Sequence, residues 1–242
     1  MTIYDPTFPN NPEEIAFYKS FYRKTTNDCL TYNYSNNVED KNVLDIYLIT
    51  FNNLFCVEYQ IKTLNKFLKQ KYNLIVIDNN NELNPIVSNK TLELCKKNNI
   101  AYVKAPNNLF QLPGRFNPSL KLGTTMNWIY VNCAKNRQSK YFGYLDQDCF
   151  LMDEIDLTDH LDIKYMYGPL SFSKKYPHAW NLHVTSNFYN YEYIKNYDLD
   201  FRASHEYELD TGGANYNVIY NKLNSKDYEM DLRGFRYFEY DI

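Results

Sequence analysis

Asn42-Val-Leu-Asp-Ile-Tyr-Leu-Ile-Thr50-Phe51 is the stretch that decides the fold. It is apolar throughout, with Asp45 alone polar inside it, the pattern of a strand buried on both faces. Asn52-Asn53 ends it. Leu54, Val57, Ile61, Leu64 and Leu68 then recur at helical spacing over 54–69. Tyr72-Asn-Leu-Ile-Val-Ile-Asp78 is a second buried strand that ends in an acid, followed by the loop Asn79-Asn80-Asn81. Asn84-Pro85 opens a second helix that stops near Asn98-Asn99, and Ile100 to Lys104 is a third short strand. The order β-α-β-α-β implies an α/β protein with a parallel sheet and right-handed crossovers. Ligands of such sheets bind beyond the carboxyl ends of the strands.

A later strand joins that edge. Tyr141-Phe-Gly-Tyr-Leu-Asp146-Gln147-Asp148-Cys-Phe150 is an aromatic, apolar run that stops in two carboxylates. If strand alternation persists, Asp146 and Asp148 share a face and Gln147 points away. Two adjacent carboxylates repel unless a proton or cation lies between them. Oxygen-only ligands suit Mg2+ or Mn2+, ions that keep positions for water and phosphate oxygens. The plain alternative is a solvated strand end or turn. A calcium loop is excluded, because it needs a ligand at Phe150 and glycine at Leu151. Thr50-Phe51-Asn52, Asp78-Asn79-Asn80 and Asp146-Gln147-Asp148 thus converge on one edge, and we expect a diphosphate to be held there.

The flanks are plainer. Residues 1–41 read as an arm, with a short helix from Asn11-Pro12 to about Arg23, and 42–242 as one domain with halves 42–150 and 151–242. Residues 105–118 form a long loop bearing Arg115. Ser119 caps a helix to about Ala134 that contains Lys121 and Gly123. The two cations face phosphate or are simply solvated; Gly123 marks close approach by a ligand or close packing on another element. Asp153, Glu154, Asp156 and Asp159 read as an acidic turn. Strands are expected over Tyr165–Phe172 and Trp180–Tyr189. Asp210-Thr-Gly212-Gly213 precedes a helical run from Ala214 to Leu223, which puts Asp210 at or near a helix start, where a carboxylate is favoured. The end of the chain, from Arg233 to Ile242, is a tail that covers the site or merely packs.

Composition narrows the functions. Among 242 residues, 44% are hydrophobic, enough for a substantial core, and the 17% aromatic content is dominated by 25 tyrosines. A net charge of −3 without a basic tract gives no support to nucleic-acid or anionic-membrane binding. Five scattered cysteines without C-x-x-C spacing favour reduced thiols in a cytoplasm-like compartment. No run is long and apolar enough for a transmembrane segment. With seven glycines and neither G-x-G-x-x-G nor a P-loop, nucleotide sites of those kinds are not expected.

Ile49-Thr50-Phe51-Asn52, Val76-Ile77-Asp78-Asn79 and Tyr144-Leu145-Asp146-Gln147-Asp148, followed by Asp210-Thr-Gly-Gly, resemble the metal-dependent glycosyltransferases of the GT-A fold, nearest the family 2-like enzymes with a DxD motif. The resemblance covers 42–150 well and 165–225 loosely. It implies a Rossmann-like mixed sheet flanked by helices, a nucleotide-sugar donor (commonly UDP-linked), a carbohydrate acceptor and Mn2+ or Mg2+. It also implies roles. Thr50, Phe51 and Asn52 border the base and ribose, and Asp78 bonds the base. Asp146 contacts ribose or metal, and Asp148 binds the metal. An acid acts as base for inversion, which Glu206, Glu208 or Asp210 could supply; Asp210 is preferred, with helix capping as its plain alternative and Glu208 kept on the acceptor side. Trp180 either stacks on an acceptor sugar or is a core tryptophan. His178, His183 and His205 either complete the metal shell or are structural. Two rivals stand beside the transferase: a nucleotidyltransferase, which lacks its glycine-rich basic loop here, and a catalytically silent sugar- or partner-binding domain.

Overall fold

The computed structural model describes residues 29–80, 85–106 and 118–230. The expected helix before residue 24, the loop carrying Arg115, the cap Asn84 and the tail from Arg233 lie outside the described residues.

The first half is built as its periodicity requires. β1 (Thr31–Tyr32) is followed by β2 (Leu44–Thr50), α1 (Leu54–Phe67), β3 (Tyr72–Asp78), α2 (Pro85–Lys97) and β4 (Ala101–Lys104). β2 is buried at every position, and Asn53 caps α1 by accepting the Cys56 N–H at 3.1 Å. α3 (Pro118–Ile129) continues through a π-helical turn, Tyr130–Ala134, into α4 (Lys135–Arg137). β5 (Tyr141–Asp146) and α5 (Leu157–Leu161) follow. The acidic turn before α5 has a structural use: Asp156 caps the helix through the Thr158 and Asp159 N–H groups.

The second half is more broken than its composition suggests. The single strand expected over 165–172 is two, β6 (Met166–Gly168) and β7 (Leu170–Phe172), interrupted at Gly168 (φ +154) and Pro169. The strand expected over 180–189 is also two, β8 (Trp180–Leu182) and β9 (Ser186–Asn190), separated by a turn around His183. After α6 (Tyr191–Ile194), the expected 214–223 helix is only α7 (Asn215–Val218) and a 3-10 turn, Tyr220–Lys222, ahead of β10 (Tyr228–Met230).

Eight strands form one mixed sheet in the order β1-β4-β3-β2-β5-β9-β6-β10, and β7 pairs with β8 apart from it. β2 to β5 are mutually parallel; β9 runs antiparallel between β5 and β6. Strand alternation divides the core. Leu44, Ile46 and Leu48 pack with Val57, Ile61 and Leu64 of α1, while Tyr47 and Ile49 pack with Met126, Ile129 and Tyr130 on the other side. Gly143 is required: a Cβ there would lie 2.0 Å from the Phe188 ring on the neighbouring strand. Gly123 settles its two readings as packing, since its Cβ would lie 2.6 Å from the Phe201 carbonyl oxygen.

Register aligns the functional edge. Thr50 pairs with Asp78, Asp78 with Lys104, and Ile49 with Asp146. The chain steps outward from β2 to β3 to β4, then returns to the opposite side of β2 as β5. The crevice between β2 and β5 is therefore the topological switch point, the usual ligand site of such sheets.

Candidate functional site

β5 ends at Asp146, and residues 147–148 form a turn closed by the Cys149 N–H on the Asp146 carbonyl at 3.2 Å. The alternation expected to carry Asp146 and Asp148 to one face therefore does not extend to Asp148. The turn keeps the two carboxylates together by another route. Burial first, and the Asp148 charge second, push the Asp146 carboxyl up from its ordinary value of 3.8 to about 6. Gln60 of α1, fully buried, donates to the carbonyls of Asp146 (3.2 Å) and Cys149, pinning both ends of the turn. On the far side the Asp146 N–H donates to Thr185 O at 3.0 Å. Burial raises the Cys149 thiol to about 11, which leaves it protonated and inert as a thiolate.

Gln147 does not point away from this edge, as alternation implied. Its Oε1 accepts the Phe51 N–H at 2.8 Å and the Thr50 hydroxyl at 3.3 Å, so it spans from β5 to the end of β2. Thr50 is buried, Phe51 half-buried and Asn52 exposed. Asn52 sits in the left-handed region (φ 54), which asparagine tolerates, and its N–H donates to Asn80 Oδ1. Sequence reasoning missed Gln147 because it extended a strand through a turn. The acids themselves, which favour turns, were the signal available.

Asp78 is completely enclosed. Its oxygens accept the Tyr102 hydroxyl (2.6 Å) and the Asn80 N–H (2.9 Å), and Lys104 Nζ lies 3.4 Å away. With those partners the carboxylate holds the 79–80 loop rather than presenting itself to a base. The loop is tied further by the Thr125 hydroxyl on Asn79 Oδ1 at 2.9 Å. Asn80, also enclosed, leaves its side-chain Nδ2 without a hydrogen-bond partner among the described residues.

Across the crevice, Asn181 Nδ2 donates to Leu182 O (2.8 Å) and Thr211 O (3.0 Å), fastening β8 to the turn that carries Asp210. Asp210 is exposed, and its Oδ1 accepts the Thr211 N–H at 2.7 Å. It does not cap a helix: α7 starts at Asn215 with Ala214 as its cap residue. His183 Nδ1 lies 3.0 Å from Thr185 Oγ1; burial lowers its pKa and the Asp210 charge partly offsets that. Asp146, Thr185 and His183 are thus linked by hydrogen bonds, and the Asp210 charge acts on His183. Glu208 is exposed and pairs with Lys175 at 3.7 Å. His178 and His205 are exposed. Lys121, at the start of α3, has its pKa lowered by burial. Trp180, expected either at an acceptor or in the core, is in the core: it is 8% exposed and packed on Tyr220 and Tyr228, with ring centroids at 4.8 and 4.4 Å.

Among the described residues, no group of three or more His, Cys, Asp or Glu is placed to hold a metal ion. The donor set at the turn is two hard carboxylates, one exposed and one half-buried. That set fits Mg2+ or Mn2+ bound by one or two carboxylates with the remaining positions left to water and phosphate.

The chain matches no protein-family model and no curated protein sequence. Among solved structures it is similar to the mannosyltransferase PcManGT from Pyrobaculum calidifontis in complex with GDP-Man and Mn2+, at 12% identity and a TM-score of 0.39, over 75% of this chain and 53% of that one. The chain therefore spans about half the length of that protein. A likeness of this size decides nothing about activity.

Proposed function

We propose that this protein is a metal-dependent glycosyltransferase that moves a sugar from a nucleoside-diphosphate donor, UDP-linked in the first instance, to a carbohydrate hydroxyl with inversion. One observation carries the reading. Two carboxylates stand at the switch point of the sheet, where burial first and the Asp148 charge second push Asp146 up to about 6. They have no compensating side-chain cation there, since no ion pair of either is found among the described residues. In this reading Asp148 and Asp146 hold Mn2+ or Mg2+, and a divalent ion there supplies Lewis-acid stabilisation of the departing diphosphate.

The chain's own groups divide the remaining work. Thr50, Phe51 and Asn52 wall the nucleoside side of the crevice, and Asp78 acts through the loop it holds. Asp210, with one oxygen on Thr211 and the other without a hydrogen-bond partner among the described residues, removes the acceptor proton as attack proceeds. Glu208 stands on the acceptor side.

The test is a panel of UDP- and GDP-sugars incubated with Mn2+ and scored for donor hydrolysis and transfer. Turnover that disappears with chelator and in Asp148→Ala is the expected result. Binding of a donor without turnover by any donor and acceptor pair sinks the enzyme reading in favour of a silent binding domain.

A further inference from the structure

Gln60 is a poor choice for its place in a helix unless it has a second duty. It stands on the buried face of α1 among Val57, Ile61 and Leu64, and it is itself fully enclosed. A primary amide offers two N–H donors and one acceptor oxygen. Here the NH2 group serves a single turn, donating to the carbonyls of Asp146 (3.2 Å) and Cys149. The amide cannot be flipped, because its oxygen would then face two carbonyl oxygens. In the orientation it has, Oε1 is enclosed with no hydrogen-bond partner among the described residues. Leucine or methionine would fill the same space without burying an unpaired oxygen. What offsets that cost is the grip on the turn.

What the turn carries is Asp148. Its side chain is exposed and has no hydrogen bond among the described residues, so the backbone beneath it fixes where its carboxylate can reach. That backbone is closed on itself by the Cys149 N–H on the Asp146 carbonyl. It is then fastened outward on two sides. Gln147 Oε1 takes the Phe51 N–H and the Thr50 hydroxyl at the end of β2, and Gln60 holds both ends of the turn to α1. α1 opens at its cap, Asn53, directly after Thr50-Phe51-Asn52. One helix therefore ties the end of β2 to the turn that bears the two carboxylates.

We propose that Gln60 is a positioning residue of the metal site: by holding the carbonyls of Asp146 and Cys149 it sets where the Asp146 and Asp148 carboxylates stand to grip a divalent ion. The proposal rests on the metal reading given above. Removing a group that orients metal ligands without touching the ion typically weakens metal affinity about ten- to a hundredfold. The loss expected here is at the lower end, because Gln147 still holds the turn to β2.

Titration with Mn2+, with and without UDP, tests it, the free ion being counted by its electron paramagnetic resonance signal and Asp148→Ala marking the background. Wild type is expected to bind Mn2+ above that background, and Gln60→Met to bind it about tenfold more weakly. Gln60→Glu, enclosed and so protonated, offers one donor in place of two and is expected to fall between them. It carries the test alone if Gln60→Met fails to fold. Val57→Ala is the control for helix packing: Val57 is fully buried one turn earlier on the same face, so its truncation should lower the urea midpoint and leave Mn2+ affinity unchanged. Wild-type affinity in the Gln60 variants overturns the assignment and leaves Gln60 as a packing residue. So does an equal loss of affinity in Val57→Ala. A wild type that binds no Mn2+ above the Asp148→Ala background in either titration sinks the metal reading, and this proposal with it.

Discussion

β2 and β5 each carry a carboxylate near one end, and the two ends are treated oppositely. At the amino end of β2, Asp45 is 1% exposed and neutralised in place: Arg137 Nε and Nη2 bind its oxygens at 2.7 and 2.9 Å, Ser139 Oγ at 2.6 Å and Asn73 Nδ2 at 2.8 Å. Asp200 and Arg202 repeat that solution behind α3, where Arg202 and Asn127 hold the Asp200 carboxyl below its usual range against the effect of burial. At the carboxyl end of β5, Asp146 is half-buried, lies near the Asp148 charge and has no side-chain ion pair among the described residues. A fold that pairs its buried carboxylates at Asp45, Asp78 and Asp200 leaves Asp146 and Asp148 without a side-chain ion pair among the described residues at the switch point. The neutralised end carries stability, and the unpaired end is where an external cation gains most.

The widest break in that contrast comes from the neutralised end. Arg137→Met leaves Asp45 enclosed without its partner and should cost about 3–5 kcal/mol in urea unfolding, most of it recovered in the Asp45→Asn/Arg137→Met double variant. A cost under about 1 kcal/mol would mean that the enclosed pair is not what holds this end. At the other end, Asp148→Ala should lower turnover at least about a hundredfold, two steps of about 1.4 kcal/mol each.

Neutralising the unpaired end should stabilise the fold. A carboxyl at about 6 in the fold, against an ordinary value of 3.8, prefers its proton when folded. Stability linked to it is complete below the lower value and is lost as pH rises through the higher one. Asp146→Asn fixes the neutral form. It should therefore gain up to about 3 kcal/mol over wild type at about pH 8 and nothing near pH 3.5, while losing activity. Mn2+ at about a hundred times its Kd should raise wild-type stability by about 2.7 kcal/mol and leave Asp148→Ala much less changed, readable as Tm. The smallest effect is a surface control. Lys140 and Asp162 lie 2.7 Å apart with Asp162 exposed and Lys140 partly so, and Asp162→Ala should cost under about 1 kcal/mol.

The parallel half of the sheet was legible because each strand is a continuous apolar run and each helix a clear stripe, as in Leu44–Thr50 and Leu54–Phe67. Such patterns are set by burial alone. The second half was legible only in part. Gly168 packs against β9 and Asn181 ties β8 to the 210–213 turn, contacts that no local window contains. At the site, the convergence of Thr50, Asp78 and Asp146 followed from strand ends. The inward turn of Asp78 did not, because it depends on Tyr102 and Lys104 arriving from β4. The orientation of Gln147 was misread for a simpler reason: alternation holds only while the strand does.

The arm ahead of β2 bears on how this chain can be shortened. Thr31 and Tyr32 zip onto β4, Ser35 O accepts from Arg137, and the Tyr34 ring lies 5.5 Å from that guanidinium. A chain trimmed to begin at residue 42, where the first apolar run invites the cut, would strip the outer side of β4 and loosen the Arg137 clamp at once. A bare strand edge recruits other copies of itself. Such a fragment is expected to self-associate, and to do so through the β4 edge, two strands away from β2 and the crevice.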